Sequence, residues 1–155
     1  MRCLRKTSIA VFAVVFIVGI GSTQEKRIKR SDLPAAVDKT VTKVSQGATI
    51  KGFSEETENG KMTYEVAMIV NGHTKDVEID PKGTIVEIEE EVTMDSLSAE
   101  VKAGLGAKAA GGKILKVESL TKQGRIVAYE AKVETAGKKS EIQVGPDGKP
   151  LDHEE

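Results

Sequence analysis

Two histidines, His73 and His153, and a run of carboxylates at Glu87, Glu89, Glu90 and Glu91 are the side chains whose types could do chemistry. A pair of imidazoles could ligate a metal or move a proton, but neither histidine has a partner at a spacing such as H-E-x-x-H. His73 follows a turn signal and His153 lies in an acidic tail, so both read as solvent-exposed. The glutamate run could hold a weak calcium ion or face a basic partner. It lacks the D-x-[DN]-x-[DN]-G spacing that preorganises calcium ligands, and its plain reading is a solvated strand end. No G-x-S-x-G nucleophile turn and no phosphate-cradling glycine loop is present. Gly104 and Gly106 sit inside a helical pattern and lack the rest of a dinucleotide fingerprint. Paired carboxylates for glycoside hydrolysis exist in any acidic chain, but a cleft needs apolar and aromatic walls, and there is little material for one. The expectation is no catalytic residue, no cofactor and no metal.

Composition narrows the partner class. Arg2, Arg5 and Lys6 precede an apolar run from Ile9 to Gly21, which is short for a bilayer-spanning helix of about 20 residues. A basic start, a short apolar core and small residues at its end read as a secretory signal at 1–21, cut after Gly21 or Ser22; an uncleaved anchor is the alternative. Cys3 is the only cysteine and leaves with that segment, so a disulfide and a thiolate metal site are excluded. Without Arg2, Arg5 and Lys6 the 23 basic residues fall to 20 against 24 acidic, net −4. Residues 22–30 hold four of those cations and read as a flexible basic arm. The remainder, 31–155, carries 16 basic and 23 acidic residues, net −7. That balance argues against a nucleic-acid groove and against a membrane-surface domain, and no stable membrane span is expected after signal cleavage.

The elements that must position any site are written twice. Gly47, Gly60, Gly72, Pro81 and Gly83 return as Gly111, Gly124, Gly137, Pro146 and Gly148, at offsets of 64 and then 65. Such self-similarity marks an internal repeat. Leu33, Val37, Val41 and Val44 draw one stripe along a helix that Gly47 ends, and Leu97, Val101 and Leu105 do the same before Gly111. Gly104 and Gly106 weaken the second helix. Asn59-Gly60 and Asn71-Gly72 signal two-residue hairpins, and the turn at Asp80-Pro81-Lys82-Gly83 leads to a strand over 84–92. Val77 and Ile79 alternate with Asp76, Glu78 and Asp80, which describes a sheet with one dry and one wet face. The second copy ends in a polar tail where its fourth strand would be. The expected fold is α+β: two tandem repeats, 31–92 and 93–155, each one helix packed on an antiparallel meander of three or four strands, joined as a rigid pair.

The segments Thr63-Tyr64-Glu65-Val66, Asn71-Gly72, Asp76-Val77-Glu78-Ile79-Asp80 and Lys82-Gly83-Thr84-Ile85-Val86, after a helix, resemble a PepSY domain. Ala128-Tyr129-Glu130-Ala131, Ala136-Gly137, Glu141-Ile142-Gln143-Val144 and Asp147-Gly148 repeat the pattern. The tandem pair resembles the PepSY-like, beta-lactamase-inhibitor-like bacterial proteins over 31–155. The resemblance implies an exported, non-catalytic domain with a role against peptidases, binding its target on a sheet face.

The leading expectation is therefore an exported binding protein, a regulator or inhibitor of a secreted or periplasmic peptidase. A small-ligand or calcium-binding envelope sensor is the alternative. A protein-binding face of this kind is expected to expose an apolar patch above about 400 Å². Interface hot spots favour aromatic residues, and Phe53, Tyr64 and Tyr129 are the aromatics left after the signal segment. They are the candidate contact residues. The two tyrosines occupy matching repeat positions, and their plain reading is rings packed on the sheet. So few aromatics argue against a nanomolar inhibitor.

Overall fold

The computed structural model describes residues 24–58, 60–153 and 155. The signal segment 1–21 and its cut lie outside them, as does Asn59. In chain order the elements are β1 (Gln24–Ile28), α1 (Ala35–Val44), β2 (Thr49–Glu58), β3 (Lys61–Val70), β4 (His73–Ile79), β5 (Ile85–Val92), α2 (Ala99–Ala109), β6 (Lys113–Lys122), β7 (Arg125–Thr135) and β8 (Lys138–Val144). Short 3₁₀ turns at Arg30–Asp32 and Met94–Ser96 lead into the two helices.

The eight strands form one antiparallel sheet in the order β1-β2-β3-β4-β5-β6-β7-β8. This overturns the expected fold class of two repeats, each a helix on its own meander. The reason lies in β5 and β6. Strand β5 pairs β4 through Val77↔Ile88 and pairs β6 through Val92↔Val117, so its backbone groups are satisfied on both sides. Two separate meanders would leave both of those strands as open edges. The segment read as a flexible arm also differs. Residues 24–28 pair with β2, Ile28 opposite Phe53, and Ile28 packs against the first core. Arg30 then ties the segment to α1 through Asp38 at 2.7 Å.

The helices form where the periodicity predicts. In α1 the stripe buries Val37 and Val41, joined by Leu33 just before the helix, against Tyr64, Val66, Met68, Val77 and Ile79. In α2, Val101, Leu105 and Ala109, with Leu97, cover Val117, Ala131, Val133 and Val144. Ser98 caps α2, its hydroxyl accepting the Val101 N–H at 3.2 Å. Each buried Leu, Val or Ile contributes about 1.5–3 kcal/mol. On β5, Ile88 packs on the first core and Val92 on the second. Residues four apart on a strand share a face, so both helices lie on the same side of the sheet. Among the described residues, no helix covers the other side.

Candidate functional site

The uncovered face is built by alternation. Every strand that points Val66, Val77 or Val117 at a helix points its next neighbour the other way. Pairing then aligns the outward residues in rows: Ser54–Glu65–Glu78–Glu87 and Ala67–Asp76–Glu89–Leu120–Ala128. A third row runs Glu91–Glu118–Glu130–Gln143, and Lys116–Lys132–Glu141 lies beyond it. The face is thus a field of carboxylates spread over β2 to β8, with Lys116, Lys122 and Lys132 as cations on β6 and β7.

The two ends of this field are compensated differently. Glu118 is only 1% exposed, yet it is satisfied: Lys116 lies 2.6 Å away, Lys132 3.6 Å, and the Thr74 hydroxyl donates at 3.4 Å. Glu87 pairs with Lys122 at 3.3 Å. Gln143 donates to Glu130 at 3.0 Å. Glu91 accepts the Thr74 N–H at 3.0 Å, which holds its carboxyl below the usual range. Glu65, Asp76, Glu78 and Glu89, by contrast, make no ion pair among the described residues. Burial pushes the Glu89 carboxyl up to about 8, with Glu118 repelling its charge further. Burial and then Asp76 push Glu65 up to about 7. Asp76, Glu78 and Glu130 are raised too, in each case chiefly by burial.

Three cavities follow one another across β1 to β5. One of about 300 Å³ is lined by residues including Arg27, Gly52 and Glu65. One of about 70 Å³ is walled wholly by carboxylates, Glu56, Glu65, Asp76, Glu78, Glu87 and Glu89. One of about 330 Å³ shares Glu56, Glu78 and Glu87 with it and adds Lys61 and Lys122. The carboxylate-walled cavity is well below the roughly 300 Å³ at which small-molecule pockets begin. Asp76, Glu89 and Glu118 each bring one oxygen within 4.8 Å of the others, an all-oxygen set suited to a hard cation. Lys116 and Lys132 already supply the positive charge that Glu118 needs.

The C-terminal tail crosses the far half of the face. The Glu155 N–H donates to Gln143 at 2.8 Å, and its carboxylate meets Lys122 at 3.3 Å. Gln143 is on β8 and Lys122 on β6, so the tail bridges over β7.

The sequence-predicted residues fall elsewhere. Tyr64 is 8% exposed in the first core, its hydroxyl 3.3 Å from the Met62 sulfur. Phe53 packs against the same core and Tyr129 against the second, all on the helix side. Both histidines are exposed, each beside a carboxylate: Glu91 for His73 and Glu155 for His153. The glutamate run is not one solvated strand end. Glu90 points to the helix side and pairs with Lys75 at 2.7 Å, whereas Glu87, Glu89 and Glu91 join the open face. The face carries carboxylates where an apolar patch was expected. Glu65, Asp76, Glu78, Glu118 and Glu130 were not singled out from the sequence. A register count from Asn71-Gly72 would have found the first three, since that turn puts Glu65 opposite Glu78 and Ala67 opposite Asp76.

No protein-family model matches the chain, and neither does any curated protein sequence. Solved structures do match. One is a protein of Bacteroides eggerthii DSM 20697 provisionally named as periplasmic: TM-score 0.62, 20% identity, 77% of this chain and 86% of that one. A DUF2874 family protein of Bacteroides ovatus ATCC 8483 gives 0.59, 22%, 77% and 84%. A BLIP-like protein of Bacteroides fragilis NCTC 9343 gives 0.55, 20%, 77% and 83%. The chain has a BLIP-like fold.

Proposed function

We propose that this chain is an exported, non-catalytic protein that binds another protein through the open face of its sheet. The observation that carries this reading is the asymmetry of the sheet: both helices on one side, a broad uncovered face on the other. The basic start and short apolar run support export, and the provisional periplasmic name of the Bacteroides eggerthii structure is consistent with it. The reading extends to a PepSY-like regulator or inhibitor of a secreted or periplasmic peptidase. The boundary near residues 92 and 93 then marks a duplication in sequence inside a single sheet.

The test is capture from the native envelope fraction with three baits: the unaltered protein, Ala67→Arg on the open face, and Lys43→Glu on the exposed side of α1. The expected result is a protein held by the first and third baits and lost from the second, with each captured peptidase then assayed for inhibition. Equal capture by Ala67→Arg would overturn the reading.

One observation favours a calcium-binding sensor as a second reading, the triad of Asp76, Glu89 and Glu118. It predicts a rise in melting temperature with calcium chloride that Glu89→Gln abolishes.

A further inference from the structure

We propose that the β1–β5 half of the open face docks a basic segment of the partner protein, which lays lysine or arginine side chains against Glu65, Asp76, Glu78 and Glu89. This deepens the binding reading above and rests on it.

Charge complementarity selects the occupant. The outward residues of β1 to β5 include Glu25, Glu56, Glu65, Asp76, Glu78, Glu87, Glu89 and Glu91, with Arg27 and Lys61 as cations among them. An anionic partner, whether lipid, nucleic acid or acidic peptide, would be repelled by that field. The cations that reach the face from β6 and β7 are committed: Lys116 and Lys132 to Glu118, Lys122 to Glu87 and Glu155. Glu65, Asp76, Glu78 and Glu89 are left without a direct ion pair among the described residues: Lys116 and Lys132 reach Asp76, and Lys122 reaches Glu78, only at longer range, and the Thr63 hydroxyl donates to Glu78 at 3.2 Å. Half-burying like charges side by side destabilises a fold, and local departures of that kind concentrate at functional sites.

Geometry sets the location and the class. The tail seated on Gln143 and Lys122 covers part of the β6–β8 half, whereas the four carboxylates without an ion pair lie on β3, β4 and β5. There the three cavities share walls, giving a trough for several side chains rather than a pocket for one small molecule. The central cavity of about 70 Å³ suits the end of one long cationic side chain, and its carboxylate walls suit the donors of a guanidinium or ammonium. Protonation of Glu65 and Glu89 near neutral pH lowers the repulsion in the empty face, and an arriving cation displaces those protons to solvent.

The test is an NMR titration of the protein with a twelve-residue Lys/Arg/Gly peptide, a matched Glu/Gly peptide and calcium chloride. The basic peptide should shift amides of β3, β4 and β5 around Glu65, Asp76 and Glu89. The acidic peptide should shift none of them. The Glu65→Gln/Asp76→Asn double variant should bind the basic peptide at least tenfold more weakly, and Glu100→Gln on α2 should stay within twofold of the unaltered protein. A thermal melt confirms that both variants fold. Shifts spread evenly over the surface, or unchanged affinity in the double variant, would overturn the proposal. So would calcium chloride saturating the same amides in competition with the peptide. If Ala67→Arg still loses the captured partner while the basic peptide fails to bind, the basic-segment inference falls and the binding reading stands.

Discussion

Glu89 is the residue at which the chemistry of this surface concentrates. Its carboxyl rises from an unfolded value near 4.5 to about 8, and Glu65 rises from the same value to about 7. The folded chain therefore binds more protons than the unfolded chain across about pH 4.5 to 8. The stability they contribute is fully present below about 4.5 and is lost as pH rises through that window. Glu89→Gln removes the titration. We expect it to match the unaltered protein at about pH 4 and to be more stable by about 1 kcal/mol at about pH 9, after discounting for solvent screening. Urea melts at the two pH values check both halves of the statement. Little of this was legible from the sequence. Glu87, Glu89, Glu90 and Glu91 read as one acidic run, but strand alternation sends Glu90 to Lys75 and its neighbours to the other face. Of the groups that perturb Glu89 after burial, Glu118 and Glu130 lie far along the chain and come near it only because β5 pairs with β6, while Asp76 faces it across the β4–β5 pairing.

Helix α2 shows at the element scale why a residue with poor local propensity can be required. Its two glycines look alike in sequence and differ in space. A Cβ at Gly106 would meet nothing within 4 Å, whereas one at Gly104 would collide with the backbone carbonyl of Gly148. The turn after β8 presses directly on the helix there, and a Cβ on Gly148 would strike the backbone of Glu100. The turn after β4 meets α1 in the same manner, with Gly83 against the backbone of Ala36. Gly106→Ala should stabilise the protein by up to about 1 kcal/mol, and Gly104→Ala should destabilise it by about 1–3 kcal/mol despite the same gain in propensity. Thermal melts of the two variants should move in opposite directions. The hairpins carry a related lesson. Asn71 takes a positive φ of 53° where the sequence signals it, but Ala136 takes 51° with no such signal. Ala136→Asn should therefore stabilise by about 0.5–1 kcal/mol, measured the same way. Helix positions and most strands were legible because periods of 3.6 and 2 are local. The fit of a turn against a helix was not, because it depends on backbone approach between distant segments.

For the whole molecule, the sheet is continuous through β5 and β6, and this is where sequence reasoning erred. Repeating turns suggested two units, and nothing local revealed that Val92 would pair with Val117 or that residues 24–28 would become a strand. Strand pairing across a boundary depends on exposed backbone groups finding partners, a property of the assembled chain. One consequence is cooperative unfolding. Glu90→Pro removes a backbone donor from a central strand, and it should lower stability by about 3 kcal/mol or more. Amides of β3 and β7 should lose hydrogen-exchange protection together. Protection kept on one side alone would show the halves to be independent.

An unclosed sheet has two rims, and here they carry charge of the same sign. Strand β1 brings Lys26 and Arg27 to one rim beside Glu25, and β8 brings Lys138 and Lys139 to the other beside Glu141, a net of one positive charge on each. Joining β8 of one molecule to β1 of the next would repeat without closing, which is the geometry of a filament. A net positive charge on both rims sets like charges against each other at that junction, an arrangement that disfavours polymerisation.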